Sequence, residues 1–295
     1  MTTDINIDEL LKAEASFMLG ALTLESHIIG VMKYEDGTIL IAQDSPFYPK
    51  NYNWPDQLYD NGIVSIGNKK LAVTKVYTAG LFNDHLYIDQ EITKQATSPE
   101  KIIPAHYIPD LQEFSERDLI GKTVTLSVNY ETRYRVSAAH SMAHFMSLAL
   151  NKATNHIWSK VYDTDDLGNY NLDKAAIYQS SITELKSVDI YRFGKSLKKK
   201  GFDKNILIEN LDKINREVNS TLNNWLTQGA EITVEYKSKE ISDTRLWKST
   251  IDSTVVTIPC GGTHINNINE VKEVNVEIKI GESIDFIQVT TNCEI

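Results

Sequence analysis

Two short motifs, far apart in the chain, restrict its fold more than any other feature: His140 and His144, and the run Cys260-Gly261-Gly262-Thr263-His264. The two histidines stand four apart in Val136–Asn151, a stretch without Gly or Pro and rich in Ala, Met and Leu. Such a stretch predicts a buried helix. Four residues make just over one turn, so both imidazoles project from the same face. The second motif follows a strand-like run, Thr254–Ile258, and Pro259. Its paired glycines let a tight loop turn the thiol and the imidazole the same way. Three nitrogens and one sulfur are a donor set for a single tetrahedral Zn2+ ion. Each motif alone arises easily by chance, and ordinary core or surface histidines are the competing reading. Their joint occurrence in one domain, each on a credible element, makes His140, His144, Cys260 and His264 the candidate metal ligands. His27, His85, His106 and His156 have no partner at ligand spacing and read as ordinary residues.

The remaining pattern divides near residue 128. Residues 7–22 have helical spacing. His27–Met32 and Thr38–Ala42 flank the turn pair Asp36-Gly37 and predict a hairpin. Strand-like runs follow at Gly62–Ile66, Lys70–Tyr77, His85–Ile88 and Thr123–Val128, a density that predicts a small β-barrel or sandwich over residues 1–128. The stretch 93–118 carries Pro99, Pro104 and Pro109 and reads as a long connection. Beyond it, helical patterns at 136–151, 181–199 and 205–226 precede strands at Glu231–Tyr236, Thr254–Ile258, Val274–Ile280 and Asp285–Thr290. The expected fold class is α+β, with residues 129–295 forming an α+β second domain.

Composition narrows the partners. With 41% apolar and 24% charged residues the chain is globular in type, and its net charge is −10. That sign is wrong for a broad basic nucleic-acid surface and argues against DNA. Residues 1–128 hold 10 Lys and Arg against 18 Asp and Glu, whereas residues 129–295 hold 20 against 22. A local basic patch is therefore possible in the second half. Arg192, Lys195, Lys198, Lys199, Lys200 and Lys204 supply one, opposed only by Asp203. Six such groups would give salt-sensitive phosphate contact; the alternative is a solvated helix end whose lysines complement the dipole. Two cysteines build no disulfide framework, and neither a signal peptide nor a membrane span is legible. A soluble cytoplasmic protein without a membrane partner is expected, its oligomeric state undetermined.

The residues also carry a resemblance. Arg133-Tyr134-Arg135 leading into Ala138–Met146, and Ile258–Ile265, resemble the two zinc motifs in the editing domain of alanyl-tRNA synthetase. Freestanding AlaX-type editing proteins are similar over more of the chain. Phe47-Tyr48-Pro49 with Gln57, Asp60 and Gly62 resembles their FYP and Q-x-x-D-x-G elements. Gly121, Val124, Leu126 and Val128 resemble the strand before the zinc helix, and Val218-Asn219 a short Val-Asn element. The resemblance covers roughly residues 24–280, and its most specific part is the CGGTH segment. It implies a barrel followed by the α+β editing domain shared with threonyl-tRNA synthetases, and zinc held by His140, His144, Cys260 and His264. It implies hydrolysis, in trans, of Ser or Gly esterified to alanine tRNA. Two positions depart from the family. Lys50–Gln57 replaces a glycine-rich stretch and carries Tyr52 and Trp54, and Ala143 stands where synthetase-embedded domains often have Thr.

For chemistry, zinc polarises an ester carbonyl and brings a bound water's pKa near ~7. A closed four-ligand shell is structural, so a catalytic reading makes Cys260 the weak or displaced ligand. Thr263 and Gln57 are candidates for positioning water or substrate; as ordinary residues they would be a turn hydroxyl and a surface amide. Three functions stand open: a deacylase for mischarged aminoacyl-tRNA; the same metal hydrolase acting on a noncanonical aminoacyl-tRNA or a small-molecule or carrier-protein ester; and a non-catalytic module that binds aminoacylated RNA.

Overall fold

A computed structural model describes residues 4–111 and 116–295. The fold is mixed, with many strands and few helices, and divides into two compact units. One comprises Met1–Arg133 together with Tyr236–Thr244; the other comprises Tyr134–Glu235 and Arg245–Ile295.

The first unit is built on a nine-stranded antiparallel sheet among the described residues. Its path runs Lys69–Val73, Gly62–Ile66, Thr123–Val128, Thr23–Tyr34, Gly37–Ala42, Lys101–Ile108, Lys75–Phe82 and His85–Ile88, with Asp4–Ile5 added beside Thr23–Tyr34. The expected barrel is not found: the two end strands do not pair with each other among the described residues. The burial pattern gives the reason. In Gly37–Ala42 every residue is buried, Ile39 and Ile41 in one apolar cluster, Leu40 and Ala42 in another. Alternate residues of a strand point to opposite faces, so this sheet buries both faces instead of enclosing one interior. The hairpin turn is Glu35-Asp36, since Tyr34 pairs with Gly37 and Glu35 adopts a left-handed φ of 53°.

Two further expectations are corrected here. Residues 7–22 do not form one helix: Ile7–Leu11 is helical, Glu14–Ala15 is a short strand, and Ser16–Leu19 is a 3₁₀ turn. The proline-bearing stretch 93–118 conceals the fully buried strand Lys101–Ile108. Pro104 fits because it precedes His106 and Tyr107, the part paired on both sides. The segment Tyr236–Thr244 joins this unit through Lys239, whose ammonium meets Glu14 at 2.5 Å and Asp44 at 3.4 Å, and through Lys101–Glu240.

A buried ion pair anchors the start of the histidine-bearing helix, Tyr130–Thr154. Arg133 donates to both carboxylate oxygens of Asp60 and, at 2.8 Å, to the Pro46 carbonyl. Asp60 also accepts the Tyr48 amide at 2.5 Å. Both carboxylate oxygens and two guanidinium nitrogens are thereby engaged, the kind of pairing under which a buried charge is tolerated.

The second unit holds two antiparallel sheets. One orders Ile177–Thr183, Lys186–Arg192, Phe286–Glu294 and Glu273–Ile280; the other orders Ile232–Glu235, Leu246–Ile251 and Thr254–Pro259. The expected helix at 181–199 is instead the hairpin Ile177–Arg192 followed by a short helix, Lys195–Lys199. The hairpin buries Ser187 and Asp189, bonded to each other at 3.1 Å, so the apolar alternation of a strand is missing from the sequence. The helical stretch at 205–226 is two helices, Lys204–Glu209 and Leu211–Gln228. The latter buries Ile214, Val218, Leu222 and Trp225 along one stripe and ends at Gly229, whose φ is 75°. Asn219 both donates to the Val276 carbonyl and accepts its amide, each at 2.8 Å, and Asn215 accepts from Ile278. These amides pair backbone groups along Glu273–Ile280, the edge of its sheet, which an uncovered edge would leave open. No described helix is long and apolar enough to cross a membrane.

Replacing Asp60 with Ala leaves the Arg133 guanidinium buried without its counter-charge. The expected loss is ~3–5 kcal/mol, read as a lower urea midpoint; a loss below ~1 kcal/mol would show the pair to be dispensable.

Candidate metal centre

The histidine helix is buried on nearly every side: Val136, Ala138, Ala139, Met142, Phe145, Met146, Leu148, Ala149 and Leu150 all lie in apolar surroundings. Polar residues on such a helix need partners. Ser137, His140, Ser141 and His144 form one stripe along it, spaced by three, one and three residues. Across from this stripe lies the loop that follows strand Thr254–Pro259, started by the Cys260 amide donating to the Arg245 carbonyl at 3.0 Å.

The ligand atoms of His140, His144, Cys260 and His264 all lie within 4.8 Å of one another. The Cys260 sulfur is 3.3 Å from Nε2 of His140 and 3.3 Å from Nε2 of His264. A tetrahedron with bonds of ~2.0–2.3 Å has edges of roughly 3.3–3.6 Å, which the two Sγ–Nε2 spacings match. The Gly262 amide donates to Cys260 Sγ at 3.4 Å, a contact that supports charge on the sulfur. Nε2 of His144 is buried with no hydrogen-bond partner among the described residues. A buried lone pair left without a donor is costly, and a cation in the cluster would satisfy it.

Electrostatics keep the imidazoles neutral. Burial, then the nearby Arg245 charge, pushes His140 down to about 3. Burial and neighbouring His140 hold His144 well below the usual imidazole range; His264 is held there by burial, His140, His144 and Arg245. Neutral rings present the lone pairs that a metal requires. These four residues could therefore hold a metal ion.

Thr263 is buried beside them, its Oγ1 accepting from Ser137 Oγ at 2.8 Å. Gln57 belongs to the other unit, where it too is buried, its backbone amide donating to the Asp56 carboxylate at 2.8 Å. The basic residues lie elsewhere in the second unit. Arg192 ends a strand with its guanidinium 5.8 Å from the Tyr178 ring centroid and 6.0 Å from that of Phe286. Lys195, Lys198 and Lys199 are exposed on their short helix, without a carboxylate partner among the described residues. Lys200 donates to the Tyr162 hydroxyl at 2.9 Å, and Lys204 pairs with Asp285.

Four residues around the cluster belong to neither motif. Ser137 and Ser141 share the histidine stripe, and that spacing is the one signal the sequence offers for them. Arg245 and Trp247 belong to strand Leu246–Ile251 or its approach, a strand with too little apolar alternation to be recognised. The Trp247 ring centroid stands 5.1 Å from that of His144 and 5.4 Å from that of Phe145, walling the cluster on its apolar side.

No family model matches the chain. The chain is similar to the alanyl-tRNA editing protein AlaX-M of Pyrococcus horikoshii, 22% identical over 169 residues. The aligned stretch covers 57% of this chain and 59% of that relative's own length. This is a distant likeness to AlaX-type proteins.

The burial of these rings fixes the sign of an acid response. A folded pKa of about 3 for His140 lies below the ~6.5 of an unfolded chain, so the unfolded state takes up protons first as pH falls. Stability of metal-free protein should be full above pH ~6.5 and decline toward pH 3. Chemical denaturation at stepped pH should show a shallower decline for His140→Leu than for wild type; parallel curves would contradict the assignment.

Proposed function

We propose that this chain is a zinc-dependent hydrolase that cleaves, in trans, the ester bond of mischarged aminoacyl-tRNA of the Ser- or Gly-tRNA(Ala) kind. The observation that carries the reading is the convergence of three imidazoles and one thiol from the histidine helix and the CGGTH loop. The distant similarity to AlaX-M supports the editing substrate at a coarse level.

His140, His144 and His264 would hold the ion through Nε2 and Cys260 through Sγ. Bound zinc supplies Lewis acidity toward an ester carbonyl and toward water. The protein supplies the rest. Burial keeps the imidazoles unprotonated, and Trp247 and Phe145 exclude bulk water from one side of the cluster. Thr263, whose oxygen accepts from Ser137, is the first candidate for positioning water or substrate. Gln57 is the second candidate for orienting substrate. Cys260, only half-buried, is the ligand we assign as labile, since a catalytic centre needs an open position. Arg192, Lys195, Lys198, Lys199 and Lys200 would meet the RNA backbone, a local patch on an otherwise acidic, cytoplasmic protein.

A second reading keeps the hydrolase and changes the ester. Trp54 is 44% exposed on the Lys50–Gln57 segment, and buried Ala143 offers a methyl where a hydroxyl would read serine. An apolar wall discriminates a hydroxyl weakly.

Incubation with Ser-, Gly- and Ala-charged tRNA should release Ser or Gly rapidly and Ala slowly. Release of none of them, with salt-sensitive RNA binding intact, would favour a binding module; release of none without binding would favour a different ester. Cys260→Ala should lower both zinc content and turnover, and unchanged values for both would remove the thiol from the mechanism. The triple variant Lys195→Glu, Lys198→Glu, Lys199→Glu should weaken RNA binding and reduce its salt slope by about one for each phosphate no longer neutralised. An unchanged slope would rule out this patch.

A further inference from the structure

We propose that Ser141 is a positioning residue: it fixes the tautomer of His264 and clamps the CGGTH loop to the histidine helix. Its consequence for metal affinity rests on the zinc reading above; its geometry does not.

Ser141 is completely buried, and its hydroxyl carries a single proton. That proton goes to the Ser137 carbonyl, 2.9 Å away and one helical turn back. The oxygen is then left as an acceptor. The Ile265 amide donates to it at 3.2 Å, and His264 Nδ1 also lies at 3.2 Å. An oxygen whose own proton is spent can meet Nδ1 favourably only if Nδ1 carries hydrogen. In a neutral imidazole that leaves the lone pair on Nε2. Nε2 is the atom that stands 3.3 Å from Cys260 Sγ inside the cluster.

One hydroxyl thus receives two groups of the loop, a backbone N–H and a ring N–H, on consecutive residues. Ser137 adds a third tie one turn earlier through Thr263. The ligand on the loop is held in register with those on the helix by polar side chains that touch no ligand atom of the cluster. Outer partners that orient a ligating histidine commonly govern affinity by ~10–100-fold. With alanine at 141, Ile265 N–H and His264 Nδ1 would both lose their acceptor in a buried place, and the ring would be free to choose the other tautomer.

The test has two arms. In metal-free wild type labelled with 15N-histidine, long-range 1H–15N correlations should show His264 protonated at Nδ1; a ring protonated at Nε2 overturns the assignment. In competition with a chromophoric chelator, Ser141→Ala should bind zinc ~10–100-fold more weakly than wild type. Ser141→Thr, which keeps the hydroxyl, should recover most of that affinity. Equal zinc affinity in Ser141→Ala and wild type overturns the clamp. Wild type that binds no zinc overturns the metal reading and the affinity consequence with it, while the tautomer arm still decides the geometry. Should Ser141→Ala not fold, the wild-type spectrum decides alone.

Discussion

The constraint around which the candidate site is arranged is the meeting of three imidazoles and one thiol in a confined cluster. Four donor groups crowded together, with His140 buried and the other three partly buried, are unfavourable unless something accepts their electrons. The protein provides donors for some of these atoms: the Gly262 amide serves the sulfur, and the rings are turned by partners such as Ser141. Among the described residues none serves His144 Nε2. A common cation is the partner that would satisfy all four residues together, and the neutral state imposed by burial prepares the rings for it.

The fold's contribution is to set a rigid face against a short loop. A helix buried on nearly all sides cannot rotate without disrupting its packing, so the positions of His140 and His144 are decided by Met142, Phe145 and Met146 as much as by the histidines. The loop relies on hydrogen bonds instead. It is tied at its start by Cys260 to Arg245 and at its end by Ile265 to Ser141. Division of labour between a packed element and a hydrogen-bonded loop is how a site reaches the precision that metal binding demands.

Much of the site is legible in the sequence because metal ligands are few in kind and fixed in spacing. HxxxH on a glycine-free stretch and a thiol four residues from an imidazole are each weak alone, and it is their joint occurrence that singles out the four residues the fold brings together. The surrounding shell is harder. Serine on a helix reads as neutral, and only its register with His140 and His144 gives Ser137 and Ser141 meaning. The fold is legible where apolar alternation is clean, as in Gly62–Ile66 and Thr123–Val128. It is obscured where polar groups turn inward, as at Ser187 and Asp189, or where proline sits inside a strand, as in Lys101–Ile108. An open sheet can pass for a barrel because strand density does not reveal whether one face or both are buried. Ile39 and Leu40, adjacent yet in different cores, show that both are.

The central claim is that residues distant in the chain share one ion. X-ray absorption at the zinc edge of the loaded protein tests it most directly. The account predicts a nearest shell of imidazole nitrogens at ~2.0–2.1 Å with a single sulfur at ~2.3 Å. A shell of oxygen and nitrogen alone, with no sulfur and no imidazole scattering, would contradict it.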